Sequence, residues 1–192
     1  RDSSTSRGLG DVYKRQLLTL GFRSLNEHNL LEIVLPHLRN LRDQVKETAC
    51  FGVLGDQKGI FIEQAQGHHT FRFVLSPGKP FELHCSAPGK AIMAYLPNTV
   101  RDYYLAQMEF TRYNARTITT PEAYMEELEK VRRQGYAMDN EEELSGVVCV
   151  GTPIFNYTSY PCGAIWISGP KDRLSKEVIR QSVEYIKDTC LL

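Results

Sequence analysis

At 192 residues, 42% of them apolar and 24% charged, the chain is long enough to fold as one domain around a proper core. Its 23 Lys and Arg balance 23 Asp and Glu, so no excess positive field draws the chain as a whole onto nucleic acid. Five cysteines without Cys-x-x-Cys spacing argue against a disulfide framework or a zinc knuckle, and no apolar run reaches membrane-span length, so the expectation is a soluble cytoplasmic protein.

Residues 1–17 are polar and aperiodic and read as a linker or a non-native leader, outside the fold. Helical spacing of Leu30, Ile33, Val34, Leu38, Leu41 and Val45 predicts a first helix over 25–45, with Pro36 kinking it or opening its second half. Residues 48–54 and 60–65 read as a hairpin turning at Gly55-Asp56-Gln57-Lys58-Gly59. A third strand is expected over 70–75, where Phe71, Phe73 and Leu75 share a face by period two.

Short helices follow over 88–95 and 99–108. Thr120-Pro121-Glu122 opens a longer one to Arg133, with Thr120 as cap, Pro121 first in the helix and Glu122 complementing the dipole. Gly135 suits the left-handed C-terminal cap. An acidic turn then sets Asp139 at the mouth of the sheet. Strands over 147–155 and 163–168 form a hairpin around residues 156–160, and an amphipathic helix over 175–190 turns Val178, Ile179, Val183 and Ile186 inward. The fold class is α+β: an antiparallel sheet of five to six strands with helices packed on it, the middle helices able to roof a cavity.

Two runs carry candidate chemistry. Leu83-His84-Cys85-Ser86-Ala87-Pro88-Gly89 leads extended chain into a helix start, where unpaired amides favour an anion, with Ala87 expected as cap and Pro88 as first helical residue. In the second run, Val147 and Cys149 share one strand face, as do Trp166 and Ser168 on the next strand. A Cys85–His84 dyad is disfavoured because neighbours in extended chain point apart. A metal site from His84, Asp139 and Cys149 has suitable ligand types but no supporting spacing, so no metal or cofactor is expected.

Leu20-Gly21 with Arg23, residues 84–94, 132–142 and 146–153, and Ile167-Ser168-Gly169-Pro170 with Arg173 occur in an order that resembles the effector-binding domain of the IclR family of bacterial transcriptional regulators. The resemblance covers residues 18–192. It implies a GAF-like sensor domain that forms a homodimer or homotetramer, takes a small effector, and meets operator DNA only through an N-terminal winged helix-turn-helix absent from this chain. It also implies an effector pocket built from the backbone near Ala87 and Pro88, with Asp139, Cys149 and Ser168 as polar groups. Phe73, Phe81 and Val147 would form its wall.

Two departures qualify that pattern. Pro88 has no N–H to offer, and Trp166 stands where a small polar residue is common. A hydroxylated, keto or aromatic acid is the expected effector, and the chain is not expected to be an enzyme. The alternatives are a GAF-like thiol redox enzyme, such as a free methionine sulfoxide reductase using Cys149 or Cys85, and a purely structural dimerisation module with Trp166 plugging its own cavity.

Overall fold

The computed structural model describes residues 30–190; the opening stretch 1–17, the start of the expected first helix and the motif at Leu20, Gly21 and Arg23 lie outside the described residues. Internal contacts divide the chain into two units, 1–36 and 37–192, and the sheet belongs to the second. Helix α1 (Leu30–Val45) runs unbroken through Pro36 and buries Leu38 and Leu41 completely.

Six strands follow: β1 (Thr48–Leu54), β2 (Gly59–Ala65), β3 (Pro80–Phe81), β4 (Ala137–Asn140), β5 (Val147–Phe155) and β6 (Pro161–Pro170). They form one antiparallel sheet in the order β3-β2-β1-β6-β5-β4. The nearly continuous apolar run of β6 suits a strand covered on both faces, and β6 lies at the centre with residues 163–169 all buried. Helices α2 (Ala87–Tyr95), α3 (Asn98–Gln107) and α4 (Pro121–Gln134) fall between β3 and β4, and α5 (Lys176–Cys190) closes the chain against β5 and β6.

Local chemistry sets these boundaries as expected in most places. Thr120 caps α4 by accepting from the Ala123 amide at 3.3 Å, and Gly135 ends the helix at φ 78°, its N–H donating to the Val131 carbonyl at 2.8 Å. Helix α4 turns Tyr124, Leu128 and Val131 inward at helical spacing, and the Tyr124 hydroxyl donates to the Leu83 carbonyl at 2.6 Å. That bond ties α4 to the segment leading into α2.

Three expectations need correction. Residues 70–75 do not form a strand, and Phe71 is exposed. Side chains take over the ladder's role there. Gln64 donates to the Leu75 carbonyl at 2.8 Å and accepts from its amide at 3.1 Å, while the Thr48 hydroxyl donates to the Phe73 carbonyl at 2.8 Å. The partner of β2 is instead the two-residue strand β3, with Gly59 opposite Phe81. Second, the cap of α2 is Ser86, not Ala87: its hydroxyl accepts from the Gly89 amide at 3.1 Å, which an alanine side chain cannot do. Third, Asp139 sits within a short edge strand, β4, paired with β5, rather than in a turn.

Phe81 rests on two glycines. A Cβ on Gly59 would fall inside the Phe81 ring, and one on Gly52 would lie 2.8 Å from it and 3.2 Å from Trp166. Gly59→Ala should therefore displace Phe81 and cost about 1–3 kcal/mol. At roughly 2–4 °C per kcal/mol for this chain length, thermal unfolding should register it. Emission from the single tryptophan should shift as well, because Phe81 packs edge-on to Trp166 at 5.5 Å between centroids. An unchanged midpoint and spectrum would refute this seating.

Candidate functional site

Register across the sheet assembles a polar row. Asp139 on β4 pairs with Cys149 on β5, and Cys149 pairs with Ser168 on β6. The Cys149 thiol and Ser168 hydroxyl lie 3.2 Å apart. By period two, Val147 stands beside Cys149 and Trp166 beside Ser168 on this same face. The start of α2, the 66–79 segment and β3 cover the row, enclosing a cavity of about 90 Å³. At about 30 Å³ per liquid water that is room for roughly three waters, the scale of a compact metabolite.

Eight of the nine residues singled out from sequence line this cavity: Phe73, Phe81, Pro88, Asp139, Val147, Cys149, Trp166 and Ser168. Ala87 does not. Little anion-holding backbone remains at the helix start, because Pro88 lacks an N–H and Ser86 occupies the Gly89 amide. Trp166 is 3% exposed and packs edge-on to Phe61 and Phe81 at 6.1 and 5.5 Å; it narrows the cavity without filling it.

Other lining groups escaped the sequence reading, chiefly Ser86, Glu143, Lys79, Phe61 and Leu75. Ser86 carried a usable signal, since serine ahead of Ala-Pro-Gly is a preferred helix cap. Glu143 carried none: Glu141-Glu142-Glu143 reads as one solvated acidic run. The structure parts the three. Glu141 pairs outward with Lys171 at 2.5 Å and Arg116 at 3.0 Å, Glu142 turns in to Lys90, and Glu143 faces the cavity.

Lys90 is fully buried, with its ammonium 2.6 Å from Glu142 and 3.7 Å from Glu127. Glu142 in turn donates its backbone amide to Asp139 Oδ1 at 2.7 Å, so the ion pair lies directly behind the cavity acid. Burial pushes the Asp139 carboxyl up to about 7; the Glu142 amide and Lys90 oppose that rise, while the carboxylates of Glu142 and Glu143 reinforce it. Burial likewise raises Glu143 and Glu142, countered by Lys79 and Lys90 respectively. The Cys149 thiol is held well above its ordinary value by burial and by Asp139, which keeps it protonated.

His84 takes no part in the cavity. It packs between Phe110 and Tyr113, with Nε2 3.0 Å from the Thr111 carbonyl. The metal site weighed from His84, Asp139 and Cys149 is therefore not assembled, and no group of three His, Cys, Asp or Glu among the described residues is placed to hold a metal ion.

The fold is thus α+β, a six-stranded antiparallel sheet with helices inserted between its halves. Residues 22–191 match the family model for the bacterial transcriptional regulator IclR C-terminal domain, and the chain belongs to that family. It is 36% identical over 155 residues to the HTH-type transcriptional regulator BhcR of Paracoccus denitrificans, covering 81% of this chain and 56% of that protein. Identity to the transcriptional repressor IclR of Escherichia coli is 34% over 164 residues, 84% of this chain and 60% of that one. The crystal structure of Thermotoga maritima IclR superposes with a TM-score of 0.85 at 31% identity, covering 92% of this chain and 71% of that chain. The chain thus spans little more than half the length of these two curated relatives.

Two outcomes follow from the buried charges. The folded chain keeps a proton on Asp139 up to about pH 7, whereas an unfolded aspartate loses it near 3.9. This group's contribution is therefore complete at acidic pH and is lost as pH rises toward and through 7. Denaturant unfolding at pH 5 and pH 8 should show wild type losing about 2–3 kcal/mol more than Asp139→Asn across that interval; equal losses would refute the assignment. Lys90→Met should cost about 3–5 kcal/mol by stranding Glu142, with much of it recovered in the Lys90→Met, Glu142→Leu double variant.

Proposed function

We propose that this chain is the effector-binding and oligomerisation part of a transcriptional regulator, and that a small hydroxy, keto or aromatic acid enters the cavity between the sheet and α2. The observation that carries the reading is the convergence of Asp139, Cys149 and Ser168, from three neighbouring strands, on one mostly apolar enclosure. An apolar chamber with a few convergent polar groups is the form that small-molecule sites take. Lys79 at the rim is the cation best placed for a ligand carboxylate, with Ser168 as a hydroxyl partner; the Ser86 hydroxyl already donates to the Glu82 carbonyl.

The family's named members are transcriptional regulators and repressors, which favours a regulatory role over catalysis. We assign operator contact to a winged helix-turn-helix preceding residue 18 in the longer protein; the chain's even charge balance supports leaving that task to another segment. Assembly as a homodimer or homotetramer and action in the cytoplasm belong to the same proposal. Thiol redox chemistry is disfavoured because the half-buried Cys149 thiol is held well above its ordinary pKa and stays protonated.

The test is a plugged cavity. Val147→Trp puts bulk into the enclosure from a half-buried position. Wild type should give calorimetric heat with members of a panel of small hydroxy, keto and aromatic acids, and the plugged variant should lose about tenfold or more in affinity, which is roughly 1.4 kcal/mol. A panel without heat, or a plugged variant that binds as wild type does, would overturn the reading. Sedimentation of the chain checks the oligomer.

A further inference from the structure

We propose that the molecule held in this cavity carries a positively charged nitrogen, seated between Asp139 and Glu143. The inference rests on the cavity being the effector site and narrows the class of acid it takes: a small zwitterion, an acid that also carries a cationic nitrogen.

The lining decides the sign. Three charged side chains face the enclosure, and two of them are acids. Asp139 is 4% exposed, and the one hydrogen bond shown for its carboxyl is the Glu142 amide's to Oδ1. The nearest buried cation, Lys90, is committed to Glu142 and Glu127, so it does not pair with Asp139 directly. A carboxyl facing a mostly apolar chamber with a single bonded donor can accept more, and an ammonium supplies a donor together with the opposite charge.

The wall fits the same occupant. Phe61, Phe73, Phe81 and Trp166 give the enclosure four aromatic rings, the type of surface that attracts alkylated or protonated nitrogen. At the helix start, two of the amides that a carboxylate could use are absent or taken: Pro88 has none, and the Gly89 amide serves Ser86. The remaining lining cation, Lys79, stands exposed at the rim. A ligand with nitrogen at Asp139 and carboxylate toward Lys79 satisfies all three charges at once.

Linkage separates this from the opposite case. The groups facing Asp139 are Lys90 on α2, Cys85 ahead of it, Glu142 and Glu143 in the turn after β4, and Cys149 on β5. A cation holds Asp139 ionised, so its binding releases a proton and strengthens as pH rises through about 7. A simple acid lying against Asp139 would need the protonated form, and its binding would take up a proton and weaken over the same range.

The experiment is titration calorimetry of the 192-residue chain with matched pairs that differ in the charged nitrogen: L-alanine against L-lactate, and glycine betaine against its carbon isostere 3,3-dimethylbutanoate. In at least one pair the nitrogen-bearing member should bind about tenfold tighter and gain about tenfold between pH 6 and pH 8. Glu143→Gln, a half-buried position, should remove most of that preference. Tighter binding of lactate or dimethylbutanoate, or affinity that falls with pH, would overturn the inference and leave the effector site standing. No heat from any of the four, with the organic acids of the wider panel also silent, would overturn both.

Discussion

The seat of Trp166 is the constraint on which the cavity depends. Its backbone pairs with Cys50 on one side and Gly151 on the other, at the centre of the sheet. A side chain on Gly151 would meet the Trp166 Cβ at 2.8 Å, and one on Gly52 would meet the far edge of its indole at 3.2 Å. With Gly59 making room for Phe81, three glycines on three strands leave a trough into which two large rings sink. Had those rings stood higher, they would have closed the enclosure. The glycine pattern therefore sets the cavity's depth, while the polar row beside it sets the cavity's chemistry.

That chemistry is expensive to maintain. A buried ion pair, Lys90 with Glu142, lies behind Asp139, and such pairs contribute little net stability once desolvation is counted. What the pair does is geometric. It draws Glu142 inward, so that its backbone amide reaches Asp139 Oδ1 and fixes the carboxyl's orientation. The second Glu142 oxygen is left buried without a partner, a further cost. Strain of this kind collected in one turn marks a place where stability has been traded against function.

Much of this was legible in the sequence, for identifiable reasons. Caps announce themselves by residue type, so Thr120 and Gly135 bounded α4 correctly. Within each strand of the long β5–β6 hairpin, period two paired Val147 with Cys149 and Trp166 with Ser168, and the strand register then brought the two pairs to one face. Failures came where a side chain replaced backbone or where neighbours of one type diverged. Gln64 mimics a strand edge for Leu75, which periodicity cannot detect, and Ser86 displaced Ala87 as cap because its hydroxyl reaches Gly89. The three glutamates at 141–143 are identical in sequence, and only the packing of α2 distinguishes the one that enters the cavity.

Ligand occupancy and folding stability draw on the same group. Asp139 is destabilising when ionised and empty-handed, because its charge is taken out of water without full compensation. A molecule that binds only the folded chain stabilises it by about 2.7 kcal/mol at a hundredfold excess over its dissociation constant. That is of the same order as the cost of ionising this one carboxyl near neutral pH. A ligand whose charge complements the cavity thus repairs the weakness the empty site carries.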